Sequence, residues 1–144
     1  MTSPHDTEIT AIDGVGTPVG TYSPGVVAGG FLFVSGQGPF DEAGVIVGRT
    51  FREQAERTLN NLSHIAENAG TSLDRAVKLG VFISAEGYAE KWATWNDVCR
   101  DRFGSAFPAR TAVPINLGAV NIEIEVDGVF LLDQEGKEEG KWEK

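Results

Sequence analysis

Two stretches of the chain repeat their apolar residues at helical spacing, and most of the remainder alternates. Ala55, Leu59, Leu62, Ala66 and Ala69 fall three or four residues apart and draw a single stripe. Thr50 and Glu53 stand in front of that stripe in the spacing of a capping box, and Gly70 follows where a helix closes on a left-handed residue. A second helix is predicted from Tyr88 to Phe103, with Tyr88, Trp92, Trp95, Val98, Cys99 and Phe103 toward a sheet and Gly104 as its stop. Period-two segments supply the strands. Glu8 to Asp13 reads as a weak edge strand, and Val26-Val27, the turn Ala28-Gly29-Gly30 and Phe31 to Ser35 read as a β-hairpin. The hairpin sets Phe31, Phe33 and Ser35 on one face and Leu32 and Val34 on the other. Asp41 to Gly44 is a turn before a short strand at Val45 to Val47. Val77, Leu79, Val81 and Ile83 alternate as a strand with one buried face, and strands around Arg110–Ile115 and Asn121–Leu132 close the series.

This order predicts an α+β fold, a mixed sheet of about six strands with two helices packed on one face. Residues 1–133 form a single domain in this reading, and the charged, glycine-punctuated segment 134–144 is expected to be a solvated or disordered tail. The strands carry more inward-pointing apolar sets than two helices can cover, so the opposite sheet face is expected to be buried between subunits.

Composition narrows the partners. The 144 residues are 41% apolar and 23% charged, as in a soluble globular domain. No apolar run approaches the roughly 18 residues of a membrane span. The N-terminal residues lack a basic-then-apolar signal pattern, which makes the cytoplasm the expected compartment. The formal charge is −9, with 12 Lys and Arg against 21 Asp and Glu, which disfavours phosphate-backbone binding and argues against a nucleic-acid ligand. The one cysteine, Cys99, excludes an internal disulfide framework. His5 and His64 do not form an acid–histidine cluster with metal-ligand spacing. His64 shares a helical face with Arg57, Asn60, Asn61 and Asn68 and reads as solvated, whereas Cys99, Trp92 and Trp95 read as core. The glycines at 14, 16, 36 and 38 follow no phosphate-loop pattern.

Chemistry concentrates near the C-terminal end. In Phe107-Pro108-Ala109-Arg110-Thr111-Ala112-Val113, Arg110 is the one cation among apolar and small residues, and Pro108 stiffens its approach. In the strand that follows, Glu123, Glu125 and Asp127 share one face, opposite Ile122, Ile124 and Val126. A guanidinium beside a carboxylate strand can take a planar anionic ligand bidentately. The same residues serve a plain cross-strand ion pair, the commoner arrangement. Spacing does not separate Glu123 from Glu125.

Four segments together tip this balance: Thr21-Tyr22-Ser23-Pro24, Phe33-Val34-Ser35-Gly36-Gln37, Phe107-Pro108-Ala109-Arg110-Thr111 and Ile122-Glu123-Ile124-Glu125. In order and spacing they resemble the YjgF/RidA family of reactive imine and enamine deaminases, the endoribonuclease L-PSP-like proteins, over roughly Gly20 to Phe130. The resemblance implies a chorismate-mutase-like (bacillus type) architecture, a homotrimer with a central barrel and ligand clefts between neighbours. It implies hydrolysis of small 2-imino or 2-enamino acids to 2-keto acids and ammonia, with neither metal nor organic cofactor. Arg110 matches the arginine that binds the substrate carboxylate, Glu123 the acid that holds the hydrolytic water, and Tyr22 the cleft tyrosine. Ser35, Gly36 and Gln37 end a strand where the family lines its cleft, and Gly36 permits close backbone approach there, or a bulge. The chain departs from the family at Ala112, where many members carry a cysteine, and at Gly38, usually a bulky aliphatic residue. Pro114 and Asn116 replace a segment that commonly contains glutamate. These changes bear on the substrate more than on the reaction. A keto-acid-binding module without turnover is the alternative, and the ribonuclease activity sometimes attached to the family fits poorly with the acidic balance.

Overall fold

The computed structural model describes residues 8–119 and 121–133. Its elements run β1 (Thr10–Ile12), β2 (Gly25–Ala28), β3 (Phe31–Gln37), α1 (Phe51–Asn68), a 3₁₀ turn (Leu73–Arg75), β4 (Ala76–Ser84), α2 (Tyr88–Phe103), β5 (Ala109–Ile115) and β6 (Ile124–Leu131). The strands form one six-stranded sheet in the order β1-β2-β3-β6-β4-β5. All pairings are antiparallel except β4 with β5, which are parallel and joined through α2. The predicted α+β layer of two helices on a mixed sheet is the observed one. The tail 134–144 lies outside the described residues.

Local chemistry explains the boundaries. Thr50 Oγ1 accepts the Glu53 N–H at 3.1 Å and so caps α1. Ala69 ends the helix, and Gly70 turns the chain away at φ 81°. Gly29 and Gly30, at φ 59° and 84°, make the two-residue turn between β2 and β3, a conformation other L-residues adopt only at a cost. One face of the sheet and the apolar stripes of both helices bury Leu32, Leu59, Leu62, Ile65, Trp95, Ile124, Val126 and Phe130 completely. Tyr88 Oη donates to the Ala112 carbonyl at 3.2 Å, which ties the start of α2 to β5.

Four expectations need correction. Val77 does not share the buried face of Leu79, Val81 and Ile83, because a bulge between Ala76 and Lys78 turns Ala76 inward and leaves Val77 42% exposed. The strand expected at Val45–Val47 is a single bridge, Phe40 with Ile46. Trp92 is not core; it overhangs the sheet edge and is 43% exposed. Asn61 leaves the solvated face assigned to it: its side chain is buried and donates to the carbonyls of Gly38 and Phe40, both at 2.9 Å. His64, on the same helix, is exposed as expected.

Candidate functional site

The predicted site residues fall in separate places on the chain. Tyr22, Ser35, Gly36 and Gln37 line one cavity of about 500 Å³ beside β3, together with Phe40, Asn61 and Glu125. Ser35 Oγ donates to the Ser23 carbonyl at 2.6 Å, and its N–H bonds the Pro24 carbonyl at 2.9 Å. Those two bonds fix the loop that carries Tyr22, whose ring is half exposed at the mouth. The β3–β6 register breaks between Val34 and Gln37, so Gly36 sits at a bulge. A Cβ at Gly36 would lie 2.0 Å from Glu125 Oε1. The close approach that Gly36 allows is therefore to a carboxylate of its own chain.

Glu123 is placed differently from Glu125. It precedes β6, where its carbonyl accepts the Ser84 N–H at 3.0 Å and its own N–H donates to Gln54 Oε1 at 3.0 Å. Gln54, buried on α1, also donates to the Asn121 carbonyl at 2.7 Å, so α1 fixes the backbone on which Glu123 rides. The Glu123 carboxylate pairs with Lys91 Nζ at 3.3 Å, and Lys91 in turn donates to Ser84 Oγ at 2.7 Å and to the Glu86 carbonyl. Period-two spacing could not distinguish the two glutamates; the partners do.

Arg110 does not lie beside the carboxylate strand. Strand β4 intervenes, and the register partner of Arg110 is Leu79. Glu123 is level with Ser84, five residues further along β4, or roughly 17 Å at the rise of a strand. The cross-strand ion pair is therefore not formed, and among the described residues no carboxylate lies within salt-bridge distance of Arg110. Its guanidinium reaches α2 instead. Nη1 donates to Asn96 Oδ1 at 2.7 Å, and the group lies 5.9 Å from the Trp92 ring centroid. A cavity of about 280 Å³ opens beside it, floored by Leu79, Cys99, Phe103 and Phe107. Burial pushes the Cys99 thiol up to about 11, and neighbouring Arg110 draws it partly back, so the sulfur is a neutral thiol at physiological pH.

Among the described residues no group of His, Cys, Asp and Glu is placed to hold a metal ion, and no helix is long and apolar enough to cross a membrane. Residues the sequence reading missed are Asn96, Trp92, Lys91 and Gln54. The first two were visible only as an i, i+4 pair on α2, and the other two as ordinary polar residues of amphipathic helices.

Three comparisons bear on this arrangement. The family model for endoribonuclease L-PSP matches residues 15–130. A RutC family protein of Pyrococcus abyssi is 36% identical over 113 residues, covering 78% of this chain and 87% of its own. A 2-iminobutanoate/2-iminopropanoate deaminase of Dermatophagoides farinae is 27% identical over 117 residues, covering 81% of this chain and 89% of its own. Among solved structures, RidA from an Antarctic Psychrobacter superposes with a TM-score of 0.77 at 30% identity, over 85% of this chain and 99% of that one. The protein belongs to the endoribonuclease L-PSP family, the YjgF/RidA proteins.

Proposed function

We propose that the protein is a hydrolytic deaminase converting small 2-imino and 2-enamino acids to 2-keto acids and ammonia, and that it works as a homotrimer. The observation that carries this reading is Arg110: a guanidinium at the sheet edge, beside a cavity, with no carboxylate among the described residues within salt-bridge distance. Such a group takes a planar carboxylate bidentately. The deaminase named among the relatives supports the choice of imino acids. In this mechanism Arg110 clamps the substrate carboxylate, and the enamine tautomerises to the imine. Water held by Glu123 of a neighbouring protomer adds to the imine carbon, and the carbinolamine expels ammonia after proton transfer through the same carboxyl or its water. Tyr22, Ser35, Gly36 and Gln37 line the remainder of the cleft. Positioning and proton transfer supply the acceleration, because the imine is already electrophilic. The net charge of −9 weighs against the ribonuclease in the family's description.

Assembly follows from the same separation of residues. Arg110 is on one edge strand, and the Tyr22 cavity is toward the other, so a shared cleft requires a neighbour. The sheet face away from the helices also exposes Phe31, Phe33, Val77 and Leu131, with Phe31 paired to Leu131 across β3 and β6. A clustered apolar patch of this kind marks an interface. Sedimentation equilibrium at micromolar concentration is expected to give three times the 15.4 kDa chain mass. A monomer mass removes the shared-cleft mechanism.

The activity itself is tested with imino acids generated in situ by an amino-acid oxidase. The protein is expected to accelerate ammonia release from 2-iminobutyrate or 2-iminopropanoate over buffer. No acceleration with several imino acids, together with binding of keto acids, makes the protein a sensor instead.

A further inference from the structure

We propose that Trp92 and Asn96 are positioning residues that hold the Arg110 guanidinium without neutralising it, and that this uncharged seat is what makes the arginine available to a carboxylate ligand. The inference rests on the functional reading above and adds to it the part of the molecule that sets the arginine's orientation and charge.

A surface arginine has several rotatable bonds, and a fork that samples many orientations binds a carboxylate poorly. Proteins commonly fix such a side chain with an aspartate or glutamate, which holds it but also satisfies its charge. Here the contacts come from one face of α2. Asn96 Oδ1 accepts one Nη1 hydrogen at 2.7 Å, and Trp92, one turn earlier, offers the π face of its ring at 5.9 Å. Cys99, next along the same helical face and lining the same cavity as Arg110, is a neutral thiol. An amide oxygen uses a single N–H of the five that the guanidinium carries, and an indole face uses none. Hydrogen-bonding capacity and the full positive charge therefore remain for a ligand. The chain does not lack acids near this helix: Asp97 lies beside Asn96 in sequence, but it pairs with Arg100 at 2.7 Å.

The position of Trp92 is explained at the same time. A tryptophan 43% exposed forfeits much of the burial it could contribute to the core. Against a cation it supplies a rigid wall that restricts the guanidinium to one plane.

The substitution that separates this role from a merely structural one is Asn96→Asp. It preserves the hydrogen bond to Nη1 and turns it into an ion pair, so thermal stability should be unchanged or higher. Pyruvate, measured by calorimetry on the full chain, should nevertheless bind at least about tenfold more weakly, because the new carboxylate competes for the same charge. Trp92→Leu keeps apolar bulk without the π face and should weaken pyruvate binding about two- to fivefold, the usual worth of an exposed cation–π contact. Pyruvate affinity at the wild-type level in Asn96→Asp overturns the proposal. Should that variant fail to fold, Asn96→Ala takes its place. It must melt with the wild type yet bind pyruvate several-fold more weakly, and equal affinity again overturns the proposal. Arg110→Ala tests the underlying reading separately: if wild type binds pyruvate and that variant does not, the carboxylate role stands whatever the seat variants show. If wild type binds no carboxylate, the functional reading falls and this inference with it.

Discussion

Arg110→Lys is expected to fold, to assemble as the wild type does, and to lose about 10²-fold or more in kcat/KM for imino acids. Lysine restores the charge but not the planar fork, which here donates to Asn96 Oδ1 at 2.7 Å and leaves its other N–H groups for a ligand. A carboxylate held at one point swings, and small displacements of the reacting carbon are costly once catalysis depends on positioning, with about 10²-fold lost per ångström. Coupled ammonia assays at several substrate concentrations check this, and a lysine variant retaining most of the wild-type efficiency rules out the clamp. Loss of assembly in both Arg110→Lys and Arg110→Ala would make the residue structural instead.

The second large effect is expected at Glu123. Glu123→Gln removes the carboxylate proposed to hold the water but leaves Lys91 its bonds to Ser84 and the Glu86 carbonyl, and leaves the Gln54 bond to the backbone N–H. The local fold should persist. Binding of 2-ketobutyrate or pyruvate should persist as well, since the proposed anchor is Arg110. Turnover should fall at least tenfold, toward the roughly 10²–10⁴-fold typical of a general acid or base, because the group acts on the chemical step rather than on the ground state. Glu125→Gln is measured beside it, as Glu125 faces the cavity of Tyr22 and Ser35. A loss confined to Glu125→Gln would move the proton-transfer role to that residue, and wild-type rates in both would leave the strand without one.

Elements whose ends are set by local chemistry were legible from the sequence. The bounds of α2 were read as Tyr88 and Phe103, because Gly104 follows a steady apolar stripe, and the β2–β3 hairpin was read from Gly29-Gly30. What sequence could not convey is adjacency between strands distant in the chain. The strand carrying Arg110 and the strand carrying the glutamates are consecutive, and consecutive strands neighbour about two-thirds of the time. Here β6 inserts between β3 and β4, so the arginine and the glutamates part company. Trp92 departs from its sequence pattern for a related reason. Helical periodicity places it on the inward stripe, but α2 sits over the sheet margin, where an inward position can have no sheet beneath it. Val77 was lost to a bulge, which no alternating pattern announces. The candidate site residues come from motif order, whereas their supports on α1 and α2 form no motif.

Among the described residues β5 pairs with β4 alone, which leaves its outer row of amides and carbonyls open. Fresh from the ribosome and before any partner arrives, such a margin is a template on which another chain can polymerise. The segment Ala109–Ile115 is short, apolar and rich in β-formers, and its defences are few: Pro114 deletes one amide donor, and Arg110 supplies the strand's one charge. The arginine proposed to recruit the ligand in the finished protein thus doubles as a gatekeeper during biogenesis. Alanine at 110 would remove both duties at once, so poor recovery of that variant from cells would reflect lost protection against aggregation as well as lost chemistry. Lysine keeps the guard while discarding the fork.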